Sequence, residues 1–319
     1  MILNNLRGKN ITIKFDELTQ LVSMDKSLSN DIYFYLRSYF GGKKFTDDDL
    51  LFYNGEYPII EYNGIEVSRS RYNFIGISNI LDIDEALVHK KDTILMKYNK
   101  FYLENLDLQI EIDELERQFL KIVDKLRDSI PSEDIISIPD IALNAEVLLS
   151  KNIFSYVSME NSYYDKLLQI VRILMFGQDK LGCDYLLYLH NVDTYLNDKE
   201  LKCIIQMCEC VSNIKLVVSF CDTRYMSIDM VEYVNFLFEN DVSYLPSLDV
   251  MLDKLNKYNL SLRYFSMEDI KKFIYINAKY LISGDYGGSM YDLDMYNTVV
   301  SRVKYEDRGV ENIENCIII

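Results

Sequence analysis

Two runs, "CDYLLYLHNV" from Cys183 to Val192 and "IKLVVSFCD" from Ile214 to Asp222, are apolar almost without interruption and flank an amphipathic stretch, "DKELKCIIQMCECV". Neither run alternates, so neither can leave one face in water. A strand buried on both faces belongs in a parallel sheet with helices on either side. Strand, helix, strand in that order is the βαβ unit, and the chain is read as α/β with a parallel sheet.

The N-terminal part adds strands of another kind. "NITIKF" places Ile11, Ile13 and Phe15 on one face at period two, and "DIYFYLRSYF" carries Ile32, Tyr35, Leu36 and Tyr39 at helical spacing. Ser29 or Asn30 caps that helix and Gly41-Gly42 stops it. Further on, two β-rich runs meet at Asn63-Gly64, the strongest hairpin signal in the chain.

From about Asp92 the period becomes seven. Tyr98, Asn105, Ile112, Phe119 and Leu126 interleave with Phe101, Leu108, Leu115 and Ile122, the pattern of a coiled-coil seam. One helix over 92–129 would be roughly 55 Å long at 1.5 Å per residue, so it should project as an arm. Pro131 and Pro139 break it, and helical runs at 140–150 and 160–176 return, the second with Tyr164, Leu167, Leu168, Val171, Leu174 and Met175 on one face. Three parts are expected: a discontinuous α/β head at 1–90 and 178–225, a helical arm at 91–177, and a helical C-terminal extension at 226–319. That extension is read from "SIDMVEYVNFLFEN" and three further amphipathic runs as a subdomain for assembly.

Composition narrows the class. Six cysteines form no CxxC pair, and most sit in runs that look buried, so reduced thiols and a cytoplasmic setting are expected. No apolar signal region or membrane-length run is present, and the terminal "CIII" lacks the basic residues that accompany a prenylation box. The net charge of −16 excludes a protein that coats nucleic acid over its whole surface. Residues 1–100, however, hold 13 Lys/Arg against 14 Asp/Glu, while 101–180 hold 8 against 15 and 181–319 hold 13 against 21. A surface for polyanions should come from the N-terminal third.

"LTQLVSMDKSLSND", Leu18 to Asp31, stands where a phosphate loop would stand, after a strand and before a helix. In GxxxxGK[ST] the glycines let backbone N–H groups close around phosphate. Here Gln20 and Asp25 replace both glycines ahead of Lys26 and Ser27, and Asp25 puts a carboxylate where phosphate charge should settle. The acidic position after the next strand is His190, with Asp193 further along. Nucleotide binding is disfavoured, and the head is read as a degenerate phosphate-loop NTPase fold. His89 and His190 are the only histidines, and Cys203, Cys208 and Cys210 do not share one helix face, so no zinc site is assembled. No general acid/base pair emerges, and the protein is expected not to be an enzyme.

The basic residues remain. Lys9, Lys26, Arg37, Lys43, Lys44, Arg69 and Arg71 lie on loops or element ends of the head, with Lys90, Lys91, Lys97 and Lys100 where the arm begins. Each alone reads as solvated surface; together, Lys9, Lys26, Arg37, Lys43, Lys44, Arg69, Arg71, Lys90 and Lys91 are the candidates for phosphate contact with DNA, whose affinity comes largely from clustered Lys/Arg.

This order of parts resembles the CRISPR-associated Csn-two family, accessory proteins of type II-A spacer acquisition, in its larger form with a C-terminal extension. "RYNFIGISNILDID" with "DTILMKYNKFYLENL" is similar to the family's entry into its helical leg. The segment from Tyr163 to Val211 and "NIKLVVSFCDTR", Asn213 to Arg224, look like its helix, strands and following turn. The resemblance covers roughly residues 1–225. It implies a homotetrameric ring, without nuclease or ATPase activity, whose lysine-lined hole encircles double-stranded DNA from an end. It also implies work beside the Cas-one/Cas-two integrase and the RNA-guided effector nuclease, and calcium held by Glu133, Asp134 and Asp140 as the expected cofactor. The other readings are a phosphate-loop ATPase and a scaffold that recruits the acquisition machinery. None of these partners is a membrane.

Overall fold

The computed structural model describes residues 1–23, 26–42, 45–47, 50, 53, 55–88, 93–104, 106–129, 162–181, 184–238, 242–245, 247–258 and 265–283. The chain divides into two compact units, Met1–Asn79 with Gly182–Ile319, and Ile80–Leu181.

The larger unit is built on a six-stranded sheet. Its strands are β3 (Leu18–Ser23), β6 (Asn73–Ile77), β7 (Tyr185–Leu189), β8 (Ile214–Phe220), β9 (Val234–Leu237) and β10 (Val242–Tyr244), in the order β10-β9-β3-β8-β7-β6. All neighbours pair in parallel except β9 and β10. The non-alternating runs have their physical cause here: every residue of β3 and β7 is buried, and only Lys215 of β8 is not.

Beside it is an antiparallel sheet of β1 (Ile2–Leu6), β2 (Lys9–Thr12), β4 (Ile60–Tyr62) and β5 (Ile65–Glu66), in the order β2-β1-β4-β5. Its two hairpins turn at Arg7-Gly8 and Asn63-Gly64, each with positive φ at both central residues, as two-residue turns require. The second turn was legible from its Asn-Gly; the first has no such signal, because Arg occupies a left-handed position at φ 52°.

Helix α1 (Lys26–Phe40) lies between the two sheets. Leu28, Ile32, Tyr33, Leu36 and Tyr39 share one core with Leu186, Tyr188 and Val217 of the large sheet and with Leu3, Leu6 and Ile60 of the small one. Polar anchors fix the arrangement: the Tyr35 hydroxyl donates to the carbonyls of Asn4 at 2.7 Å and Ile59 at 2.9 Å, and Tyr39 donates to that of Val67.

The smaller unit holds α2 (Ile80–Ala86), α3 (Ile94–Leu103), α4 (Leu106–Ser129) and α5 (Tyr163–Leu181). The seven-residue repeat does not form one helix over 92–129: α3 ends at Leu103 and α4 begins at Leu106. Helix α4 alone is about 36 Å long. One row of the repeat is not covered, since Leu108, Leu115 and Ile122 are 42%, 50% and 56% exposed, whereas Ile112 and Val123 are buried. Helix α5 packs on α2 and α3, with Phe176 between the rings of Tyr98 and Phe101. Lys166, itself buried, reaches Asp84 at 2.6 Å across that packing. The expected helix at 140–150 lies outside the described residues.

Two further readings are corrected. "SIDMVEYVNFLFEN" is not a helix: after a 3₁₀ turn at Val231–Tyr233, it supplies β9, which lies between β10 and β3 in the large sheet. A four-residue run buried throughout has no period to distinguish strand from helix, and pairing with β3 decides it. The C-terminal region is therefore not wholly helical; α7 (Leu248–Tyr258) and α8 (Met267–Ser283) follow β10, and α6 (Asp198–Glu209), which opens with a capping box at Asn197, covers β8. Nor are the cysteines uniformly buried: Cys208 of α6 is, with its thiol pushed up to about 12 by burial, but Cys203 and Cys210 are exposed.

Candidate functional site

In an open parallel sheet, ligands settle beyond the carboxyl ends of strands, where neighbouring strands send their connections in opposite directions. Strand β3 sends α1 towards β6, while β8 connects to β9 on the far side of β3, so that point falls between β3 and β8. It is also where the worn phosphate loop was read.

From Leu18 to Ser23 the backbone is strand, not loop. Gln20, aligned with the motif's first glycine, lies inside β3 opposite Val218 and Val234, fully buried. Its side-chain Nε2 donates to the Met230 carbonyl at 2.9 Å and its Oε1 accepts from Ser227 N–H at 2.7 Å. The strand continues to Ser23 and α1 starts at Lys26, leaving two residues between them. Met24 and Asp25 themselves lie outside the described residues. Backbone committed to a strand ladder cannot turn its N–H groups onto phosphate.

Side chains close the rest. His190, one residue past β7 and 3% exposed, stands with Nε2 at 2.7 Å from Asn30 Oδ1 of α1 and Nδ1 at 2.8 Å from Ser219 Oγ of β8. Asn191 N–H also donates to Ser219 Oγ at 2.9 Å, and the Asn191 side-chain Nδ2 lies 3.0 Å from His190 Nε2. The ring stacks on Tyr33, centroids 4.8 Å apart and planes 15° from parallel. Burial first, and then the charge of Lys26, lower its pKa from 6.5 to about 4, with Asp193 opposing. The imidazole is thus neutral at pH 7 and pins α1 to the ends of β7 and β8. Asp193 turns elsewhere: its Oδ2 accepts from the backbone N–H groups of Cys221 and Asp222 at 3.0 and 3.2 Å, tying the corner after β8.

A pH dependence follows. The folded-state pKa of His190 lies below the unfolded one, so the unfolded chain binds more protons between them. Stability is complete above about pH 6.5 and falls as pH drops towards 4, by about 3 kcal/mol in all. Urea unfolding of wild type and His190→Gln at several pH values should show this loss in the wild type only. Equal pH slopes for the two proteins would refute it.

The candidate phosphate contacts separate into distinct environments. Lys9 is exposed on β2, and Lys26 and Arg37 are exposed on α1. Arg69 is half-buried: Nε donates to the Tyr39 carbonyl at 3.1 Å and the guanidinium lies 4.5 Å from the Phe45 ring, so it holds the C-terminal end of α1. Arg71 pairs with Asp184 at 2.9 Å while remaining 58% exposed. Lys97 and Lys100 are exposed on α3 of the smaller unit, Lys100 beside Glu104 at 3.6 Å. Lys43, Lys44, Lys90 and Lys91 lie outside the described residues, as do Glu133, Asp134 and Asp140. Among the described residues no group of three or more His, Cys, Asp or Glu side chains is arranged to hold a metal. None of the described helices is long and apolar enough to cross a membrane.

The structure brings Lys26 and Arg37 onto one helix face. Sequence reasoning did not place Phe34 with them; the signal was its spacing, eight residues from Lys26 and three from Arg37.

No curated protein matches this sequence. The fold is similar to the crystal structure of Stu0660 of Streptococcus thermophilus, with a TM-score of 0.80 at 20% identity over 98% of this chain and 97% of that one. The model of the family described as CRISPR-associated protein Csn2 subfamily St matches residues 6–296. A match of that extent carries the assignment: the chain belongs to the CRISPR-associated protein Csn2 subfamily St.

Proposed function

We propose that this chain is a non-catalytic, sequence-independent double-stranded-DNA-binding protein of CRISPR adaptation. It acts as a homotetrameric ring beside the integrase and the RNA-guided effector nuclease during spacer capture. The observation that carries this reading is a contrast on α1. Its N-terminal end, where a phosphate-loop protein would hold nucleotide, is occupied by the His190–Asn30–Ser219 network, while its outer face presents Lys26 and Arg37 in a chain of net charge −16. A strongly acidic protein that meets DNA must gather its cations on one surface, and a ring multiplies a modest patch by the number of subunits. The same closed strand end speaks against the ATPase reading.

The test compares linear and circular duplexes of equal sequence across a salt series, with and without calcium. Linear DNA should bind with affinity falling steeply with salt, and circular DNA should bind weakly. Lys26→Glu combined with Arg37→Glu should weaken linear binding about tenfold or more and flatten the salt slope by about two per subunit engaged. Equal, salt-independent binding of both topologies, or of neither, would sink the ring reading.

A further inference from the structure

At 100° per residue, Lys26, Phe34 and Arg37 fall within about 80° of arc on α1. The opposite arc carries Ile32, Tyr35, Leu36 and Tyr39, all buried between the two sheets. Lys26 and Arg37 are exposed, and Phe34 between them is 52% exposed. The single acid of the helix, Asp31, is taken by Arg7, which also donates to Ser27. The outer face is therefore a cationic stripe with one aromatic ring in it.

An isolated exposed phenylalanine is ordinary, and an apolar contact alone would name no partner. The flanking charges do. Lys26 and Arg37 are about 16 Å apart along the helix axis, a span of about five base steps at 3.4 Å along a duplex axis. Phe34 lies about 4.5 Å along the axis from Arg37. Cations that follow a backbone, with an aromatic ring between them, are the arrangement by which proteins hold single strands, the ring receiving a base. Bases inside a duplex are stacked on both faces, whereas an unpaired base beyond the end offers a face to the ring.

We propose that Phe34 stacks on an unpaired base at the end of a duplex, so that the α1 stripe selects DNA with a single-stranded overhang over a blunt end. This rests on the DNA-binding reading above and names its substrate class. Lys26 and Arg37 hold the backbone, and Phe34 supplies the preference.

The experiment measures fluorescence anisotropy with a blunt duplex and the same duplex carrying a short overhang, in wild type, Phe34→Ala, Phe34→Leu and Phe34→Tyr. Wild type should favour the overhang. Ala and Leu should each lose about tenfold on the overhang, within the range measured for base–aromatic stacking, and bind the blunt duplex as before with an unchanged salt slope. Tyr, which keeps the ring, should behave as wild type. A 2-aminopurine in the overhang should be quenched by wild type and Tyr but not by Ala or Leu. Overhang affinity unchanged in Phe34→Ala, or retained by Leu, overturns the proposal while the DNA-binding reading stands. Failure of wild type to bind either duplex overturns both. Phe34 is 52% exposed and also meets Tyr33 edge-on at 5.5 Å, so binding is measured well below the melting temperature of each variant.

Discussion

A chain ended after Tyr225 should fail to fold its larger unit. Strand β9 pairs with β3 from Gln20↔Val234 to Ser23↔Leu237, so its removal strips the pairing on one side from four of the six residues of a strand that is buried throughout. Val234, Phe236 and Leu237 are at most 1% exposed, and at about 1.5–3 kcal/mol each their burial alone approaches the whole stability of a domain. Asn235, fully buried, adds a polar penalty: its Oδ1 accepts from Lys14 N–H at 2.7 Å and its Nδ2 donates to the Lys14 carbonyl at 3.1 Å and the Gln20 carbonyl at 3.3 Å. Those groups would be left facing apolar surroundings or an exposed sheet edge prone to aggregation. Expression of residues 1–225 should give insoluble or non-cooperatively melting protein. A soluble fragment with a sharp thermal transition would show that β9 is dispensable.

The second large effect is at Tyr33. Its ring, 1% exposed, stacks on His190 and meets Tyr188 edge-on at 5.1 Å, and Phe74 lies 6.3 Å away. Tyr33→Ala opens a cavity between α1 and the large sheet and removes the plane on which His190 rests, and should cost about 3–5 kcal/mol in denaturant unfolding. The position is tight from the other side too. A Cβ at Gly76 would stand 2.7 Å from the Tyr33 hydroxyl oxygen and 2.6 Å from Phe74 Cε1, so Gly76→Ala alone should be destabilising. In the Tyr33→Ala background the added methyl meets one obstacle fewer, and Gly76→Ala should cost less there than in wild type. Additive costs would mean that the two residues do not share the space.

How legible the fold was in the sequence depended on whether a segment carried its own period. The buried runs of β7 and β8, the body of α1 with its stop at Gly41-Gly42 and the Asn63-Gly64 turn all declare themselves locally, but the start of α1 does not: Ser29 and Asn30, read as its caps, lie inside a helix that already begins at Lys26. Strand β9 does not, because four residues buried on every side look alike at any period, and its identity lies in a partner more than two hundred residues away. The repeat from Tyr98 onward misled in another way: its spacing is real, but the helix breaks between Leu103 and Leu106, which periodicity cannot see.

The candidate site was legible by place and not by content. Gln20 and Asp25 stand where a phosphate-loop motif would have glycines, yet only the fold reveals that Gln20 is part of the strand and that the histidine after β7 bonds to α1. Arg69 shows the limit of reading charge alone, since nothing in its neighbours in sequence announces that it cradles the end of a helix thirty residues earlier.

The placement of β3 also bears on how the protein is made. Residues 18–23 leave the ribosome early, but both of their sheet neighbours, 214–220 and 234–237, are synthesised last among the parallel strands. At the usual 5–20 residues per second, the first buried strand waits on the order of ten to forty seconds for a partner. During that interval an apolar, unpaired strand is exposed in the nascent chain, so yield in the cell should depend on chaperone occupancy and translation speed, and slowing the ribosome should reduce it.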